Sequence, residues 1–172
     1  MKDADPDVIN IHGWGEQVLD WFSERLPNRS DNRRALYLWG NAGVGKTRLV
    51  DRLLRGYVCL NRDCGESFFL QGLDENYEFV WLDEFDPTKL TRCDISNQFN
   101  KLTGREEVHV RVKNGVQRDV NARLIRTVIC SNHPPPQADY YQRRLYVVRA
   151  DKIIYDPAAM PHLANVLAEI VG

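Results

Sequence analysis

Gly40-Asn41-Ala42-Gly43-Val44-Gly45-Lys46-Thr47 decides how this chain is read. The octet fits the pattern G-x-x-x-x-G-K-[ST] completely. Glycines at this spacing let the backbone curl around a phosphate with its N–H groups pointing inward. A helix beginning near Lys46 would add its positive end to the same place. The lysine supplies a point charge to the β- and γ-phosphates, and the Thr47 hydroxyl is a ligand for Mg²⁺. The flanks suit the motif. Ala35-Leu36-Tyr37-Leu38-Trp39 is a short apolar run that reads as a buried strand. Leu49, Val50, Leu53 and Leu54 follow with helical spacing, and Gly56 is a stop. Strand, loop and helix together predict a site for ATP and Mg²⁺ made by all eight residues from Gly40 to Thr47.

Two further strand ends carry polar groups. Phe79-Val80-Trp81-Leu82 is apolar and runs into Asp83-Glu84. A carboxylate at such a tip suits the oxygen shell of Mg²⁺, which assigns Asp83 to the metal. Glu84 is then placed to act as general base on water. Its position directly after the aspartate separates this pattern from P-loop kinases and small GTPases. Asp86 lies past the apolar run and precedes Pro87. Val128-Ile129-Cys130 ends in Ser131-Asn132. In a parallel sheet the carboxyl ends of the strands meet at one edge, so Asn132 would lie near the phosphate loop and Glu84. Its amide could hold the attacking water or sense the γ-phosphate. Lys46 to Asp83 is 37 residues, and Asp83 to Asn132 is 49.

The remaining pattern alternates strands and helices. Trp14, Val18, Trp21, Phe22 and Leu26 mark one helix face, stopped by Pro27 and a polar run. Strands are expected at 67–70, 79–82, 124–130 and 145–148, helices at 94–102 and 158–171. This order argues for an α/β fold with a mainly parallel sheet. A segment of 1–32, containing the first amphipathic helix, precedes a domain of 33–172.

Composition sets outer limits. The 172 residues suffice for about one domain. With 43% hydrophobic and 27% charged residues, wholesale disorder is excluded. No apolar run is long enough to span a membrane, and the N-terminus has no h-region of a secretory signal. The expected setting is therefore the nucleus or cytoplasm of a host cell. The net charge of −1 excludes a uniformly basic nucleic-acid binder, but the charge is uneven. Residues 62–87 hold eight acids and one base, whereas 88–130 hold nine bases and four acids. Arginine outnumbers lysine by 17 to 6, which suits phosphate grip. Cys59 and Cys64 are close, but no second Cys/His pair follows to complete a zinc site.

With these motifs in order, the chain resembles the superfamily three helicases of small DNA and RNA viruses, which are compact AAA+ ATPases. Within that family it looks most like the ATPase domain of the replication-initiator (Rep) proteins of circular single-stranded DNA viruses. The Trp14 helix before the phosphate loop, Asp83-Glu84-Phe85 and Arg143-Arg144-Leu145 carry this likeness, which covers roughly residues 13 to 150. It implies an AAA+ type P-loop NTPase fold with an inserted β-hairpin. It also implies a Walker A at Gly40–Thr47, a Walker B at Asp83-Glu84, the motif C asparagine at Asn132 and an arginine finger at Arg144. The finger would act on the ATP of a neighbouring subunit in a ring, a hexamer in this family. Arg143 is the alternative to Arg144.

Val108, Val110 and Val112 alternate with His109, Arg111 and Lys113 ahead of an Asn114-Gly115 turn. The spacing predicts a hairpin over 108–120. The resemblance implies that its basic face, His109, Arg111 and Lys113, grips single-stranded DNA in the ring channel. Many Rep proteins also carry a nuclease with a His-hydrophobic-His triplet. The four histidines here, His12, His109, His133 and His162, form none, so a nuclease domain is not expected in this chain. The implied activity is ATP hydrolysis driving translocation along single-stranded DNA. The alternatives are an RNA-virus helicase-like ATPase of the same superfamily, and an AAA+ loader that organises partners without unwinding.

Overall fold

A computed structural model describes residues 13–63, 69–111 and 117–152. Strands β1 (Ala35–Trp39), β2 (Cys59–Asp63), β3 (Phe79–Asp83), β6 (Arg126–Ser131) and β7 (Leu145–Arg149) form one sheet in the order β2-β3-β6-β1-β7. Every pairing in it is parallel. Strands β4 (Glu107–Arg111) and β5 (Gln117–Asn121) form a separate antiparallel pair. The helices are α1 (Trp14–Phe22), α2 (Arg29–Arg33), α3 (Lys46–Leu54), α4 (Cys93–Thr103) and α5 (Asp139–Arg144). A 3-10 turn spans Pro87–Thr91, capped by the Asp86 carboxylate.

The central strands β1, β3 and β6 are apolar on both faces because both faces are covered. Leu36, Leu38, Phe79, Trp81 and Val128 pack with α1 and α3. Tyr37, Val80, Leu82 and Ile129 pack with α4 and with Val108, Val110 and Val120 of the β4–β5 pair. The Trp14 helix therefore shares a core with the phosphate-loop helix.

Several expectations are corrected. No strand forms over 69–70, where Phe69 and Leu70 lie in a turn, and 67–68 lie outside the described residues. Phe69 and Leu70 are buried in the same core as Ile95, Phe99 and Leu102 of α4. The strand is β2 instead, an edge strand whose Asn61, Arg62 and Asp63 face solvent and hide it from an apolar search. Helix α1 stops at Phe22, with Glu24 in the left-handed region at φ 56°. The polar run after Pro27 is itself helical, because the Asn28 side chain caps it by accepting from the Ser30 N–H. Helix α5 carries no apolar period that would announce it. The helix expected at 158–171 lies outside the described residues. No helix among the described residues is long and apolar enough to cross a membrane.

One arginine has a structural task. Arg126 donates to the Phe22 carbonyl at 2.9 Å and to the Trp21 carbonyl at 2.6 Å, closing the end of α1. Its guanidinium lies 4.1 Å from the Trp21 ring centroid and 5.6 Å from that of Phe79. Burial pushes its pKa down to about 10, so it remains a cation at neutral pH. Hydrogen bonds from a charged group and a desolvated cation–π contact each contribute on the order of 1.5–3 kcal/mol. Arg126→Ala is expected to destabilise the fold by about 2–4 kcal/mol. A urea melt checks this, and an unchanged midpoint would contradict it.

Candidate nucleotide-binding site

The phosphate loop follows β1 at the carboxyl edge of the sheet. The Gly40 N–H donates to the Ser131 carbonyl at 3.1 Å, extending the β1–β6 pairing by one residue. On the other side the Ala150 N–H donates to the Trp39 carbonyl at 2.7 Å. This draws the end of β7 so close that a Cβ on Gly40 would lie 2.3 Å from the Ala150 carbonyl oxygen. Only glycine fits there. Gly45 then takes φ 102° as the residue before α3, again a glycine conformation. No side chain caps the N-terminus of α3, so the N–H groups of its first turn are free for an anion.

Lys46 is 7% exposed, and its ammonium is held inside the loop. Nζ donates to the Gly40 carbonyl at 2.7 Å and the Asn41 carbonyl at 2.8 Å. It also donates to Asn132 Oδ1 at 3.2 Å. Burial lowers the lysine pKa, and the nearby Asp83 carboxylate opposes that shift. The Thr47 hydroxyl and Asp83 Oδ1 are 3.4 Å apart. The same Asp83 oxygen accepts the Glu84 N–H at 3.0 Å. Glu84 has φ 51°, a conformation that costs a non-glycine residue roughly 1–2 kcal/mol. That turn sends Phe85 into the core, stacked on Phe99 with centroids 5.0 Å apart, and leaves the Glu84 side chain exposed.

A cleft of about 530 Å³ joins these groups. Ala42 to Thr47, Asp83, Glu84 and Asn132 line it, with Cys130 and Ser131 as its floor. The structure thus brings together the residues taken from three separate sequence motifs. Strand β6 lies between β1 and β3, which is why Asn132 sits between Lys46 and Glu84. Gly40 and Asn41 belong to the same loop and meet Lys46 through their carbonyls.

The donor set fits Mg²⁺ held together with a nucleotide. Thr47 and Asp83 offer two converging oxygens, and Mg²⁺ takes one or two protein oxygens, completing its shell with phosphates and water. Among the described residues, no group of three or more His, Cys, Asp and Glu side chains converges to hold a metal ion unaided.

Two residues that fix the site carry no role in the sequence motifs. The Ser131 hydroxyl, buried, donates to the Phe85 carbonyl at 2.7 Å and ties the Glu84 turn to the strand that ends in Asn132. The Tyr37 hydroxyl donates to the His133 carbonyl at 3.0 Å and steadies the loop beyond Asn132. Burial raises the Tyr37 pKa to about 12, so it stays a donor. Arg48, in the first turn of α3, also borders the cleft.

The arginine pair lies elsewhere. Leu145 is in register with Ala35, the first residue of β1, whereas the phosphate loop follows Trp39, the last. Arg143 and Arg144 are thus at the amino edge of the sheet, about 15 Å from the cleft at ~3.3 Å per strand residue. Arg144 donates to the Asn100 carbonyl at 2.7 Å, which also accepts the Gly104 N–H at 2.9 Å, and so ties α5 to the end of α4. Arg143 is exposed.

The described part of the hairpin is mixed in charge. Val108, Val110 and Val120 are buried against the body. His109 is exposed and sits opposite Asp119 in register, with its Nδ1 hydrogen-bonded to the Asp119 carboxylate. Arg111 ends β4, and Lys113 with the Asn114-Gly115 turn lies outside the described residues.

No protein-family model matches the sequence, and no curated protein matches it. Solved structures do. One apo structure of the NrS-1 C-terminal region aligns over 100% of this chain and 47% of its own, with TM-score 0.67 and 16% identity. A second, the A form of that region, covers 95% of this chain and 42% of its own, with TM-score 0.65 and 15% identity. A JCV helicase structure covers 89% of this chain and 49% of its own at 18% identity, with TM-score 0.49, too distant to bear on the fold. The chain spans less than half the length of each of these structures. Its fold is of the P-loop NTPase type, with a parallel central sheet flanked by helices.

Proposed function

We propose that this chain is the ATPase core of a superfamily-three-type viral helicase, of the kind found in Rep initiators. In this reading it hydrolyses ATP to move along single-stranded DNA within a ring. The observation that carries the proposal is the contact of Lys46 Nζ with Asn132 Oδ1, beside Asp83 and Glu84 in one cleft. A nucleotide kinase has no need of that asparagine, nor of an exposed carboxylate directly after Asp83.

Each residue has a distinct task. The loop amides and Lys46 hold the triphosphate. Thr47 and Asp83 would hold Mg²⁺, which would supply positive charge against the phosphates. Asn132 positions a water, and Glu84 accepts its proton as the oxygen attacks the γ-phosphorus. The bond to the β-phosphate oxygen breaks, and ADP and phosphate leave. The α5–β7 junction, with Arg144 or Arg143, meets the nucleotide of a neighbouring copy. An arginine there supports the charge of the transition state.

His109, Arg111 and Lys113 are proposed to grip phosphates of a single strand, a contact that is sequence-independent and weakened by salt. The pairing of His109 with Asp119 favours a second reading, an AAA+ loader that does not translocate. The double variant Arg111→Ala with Lys113→Ala separates them. Translocation predicts loss of the stimulation of ATPase by single-stranded DNA, with unstimulated turnover kept. Unchanged stimulation would support the loader. Single-stranded RNA in a parallel assay decides between DNA and RNA as the track.

A further inference from the structure

Two consecutive residues, Asp83 and Glu84, both border the nucleotide cleft, which a regular strand does not allow. Successive side chains of a strand point to opposite faces. Phe79 and Trp81 of β3 pack on the side of α1 and α3, whereas Val80 and Leu82 pack on the side of α4. Continued without a break, this alternation would send Asp83 toward α3, Glu84 toward α4 and Phe85 toward α3. Phe85 is instead buried in the same core as Val80 and Leu82. The ladder shows why. Leu82 is in register with Ile129, so an unbroken pairing would bring the Phe85 N–H to the Ser131 carbonyl. It donates to the Cys130 carbonyl at 2.9 Å, one residue short. Glu84, at φ 51°, is thus the extra residue of a bulge, a device that re-aims a side chain beside a site.

The Ser131 hydroxyl holds this bulge where the ladder ends. It is buried, donates to the Phe85 carbonyl at 2.7 Å and accepts the His133 N–H at 3.0 Å. One oxygen therefore holds the residue after Glu84 and the residue after Asn132. A hydroxyl has a single proton to give, and the bond to Phe85 uses it. The carbonyl of His133 is held in turn by the Tyr37 hydroxyl. The Ser131 main chain has a separate task, since its carbonyl accepts the Gly40 N–H of the phosphate loop at 3.1 Å. Loop and bulge thus depend on different atoms of Ser131, and a side-chain substitution separates them.

We infer that Ser131 is a positioning residue for hydrolysis, whose hydroxyl sets the Glu84 carboxylate against the Asn132 amide so that both meet one water. The inference rests on the roles proposed above for Glu84 and Asn132 and adds a residue that acts through them.

The test separates binding from turnover. Ser131→Ala is expected to bind a fluorescent ATP analogue as the wild type does. Its KM for ATP should be little changed and its kcat lower on the order of 10²-fold, the cost of a misplacement near 1 Å. Ser131→Cys fills the same space with a weak donor and should show the same split to a smaller degree. It carries the test if thermal melts show that the alanine variant is unfolded. Thr127, four residues earlier on the same face of β6, has a buried hydroxyl with no partner among the described residues. Thr127→Val should keep wild-type turnover. The decisive comparison adds Ser131→Ala to Glu84→Gln and follows single-turnover phosphate release. If Ser131 acts through Glu84, the second change should slow release by less than about 3-fold, because the two losses are one loss. Losses that multiply would overturn the inference and leave Ser131 a general support of the fold. Wild-type kcat in both Ser131 variants would also overturn it, as would weakened binding at unchanged kcat or an equal loss in Thr127→Val. A wild-type chain that releases no phosphate would fail the hydrolytic reading and the inference with it, whereas each of the other outcomes fails the inference alone.

Discussion

Glu84→Gln is expected to stop ATP hydrolysis while leaving ATP bound. Glutamine keeps the size and exposure of the side chain but cannot take a proton from water. Loss of a positioned general base lowers a rate by roughly 10²–10⁴-fold. Binding should persist because Glu84 touches neither the loop amides nor Lys46. Its structural contact with the site is its own N–H, given to Asp83 Oδ1 at 3.0 Å, and the substitution keeps it. Single-turnover phosphate release, set beside equilibrium binding of a fluorescent ATP analogue, separates the two effects. Near-normal release would remove Glu84 from the chemistry. Loss of binding would mean that its left-handed backbone, at φ 51°, matters more than its carboxylate.

Lys46→Ala gives the contrasting pattern, with binding and turnover lost together. The ammonium is the one buried cation lining the cleft. Removing it takes a charged donor from the phosphates, worth on the order of 10²–10³-fold in rate. It also leaves the Gly40 and Asn41 carbonyls and Asn132 Oδ1 without their donor. Buried acceptors stripped of a partner cost about 1–3 kcal/mol. Here the cleft is open to water, so the loss of stability should fall at the low end and the fold should hold. A thermal melt with the binding assay checks both parts. Turnover near that of the wild type would sink the assignment of the site.

The parts of this architecture visible in the sequence are those set by local chemistry. The glycines of the phosphate loop are demanded by backbone approach, as the 2.3 Å gap at Gly40 makes plain. Strands β1, β3 and β6 are apolar on both faces because helices cover both, so each stands out as an unbroken run. Strand β2 was hidden because an edge strand keeps polar residues, and the apolar run at 69–70 that imitated it is a buried turn. Helix α2 was hidden because its sequence, RSDNR, has no apolar face at all.

The arginines show the limit most clearly. Arg126 opens β6 and Arg143 and Arg144 precede β7, and nothing local distinguishes them. Their roles follow from what stands opposite: carbonyls of α1 for Arg126, a carbonyl of α4 for Arg144, and open solvent for Arg143. Likewise the contact between His109 and Asp119 depends on hairpin register. That register also shows that the outward face of the β4–β5 pair carries acid as well as base.

The most direct test of the account is phosphate release from Mg²⁺·ATP by the wild-type chain over a range of protein concentrations, with Lys46→Ala alongside. The account predicts steady release whose rate per chain rises with concentration, because each site is completed by a second copy, and almost none from the variant. ATP bound without release at any concentration, or equal release from the variant, would contradict it.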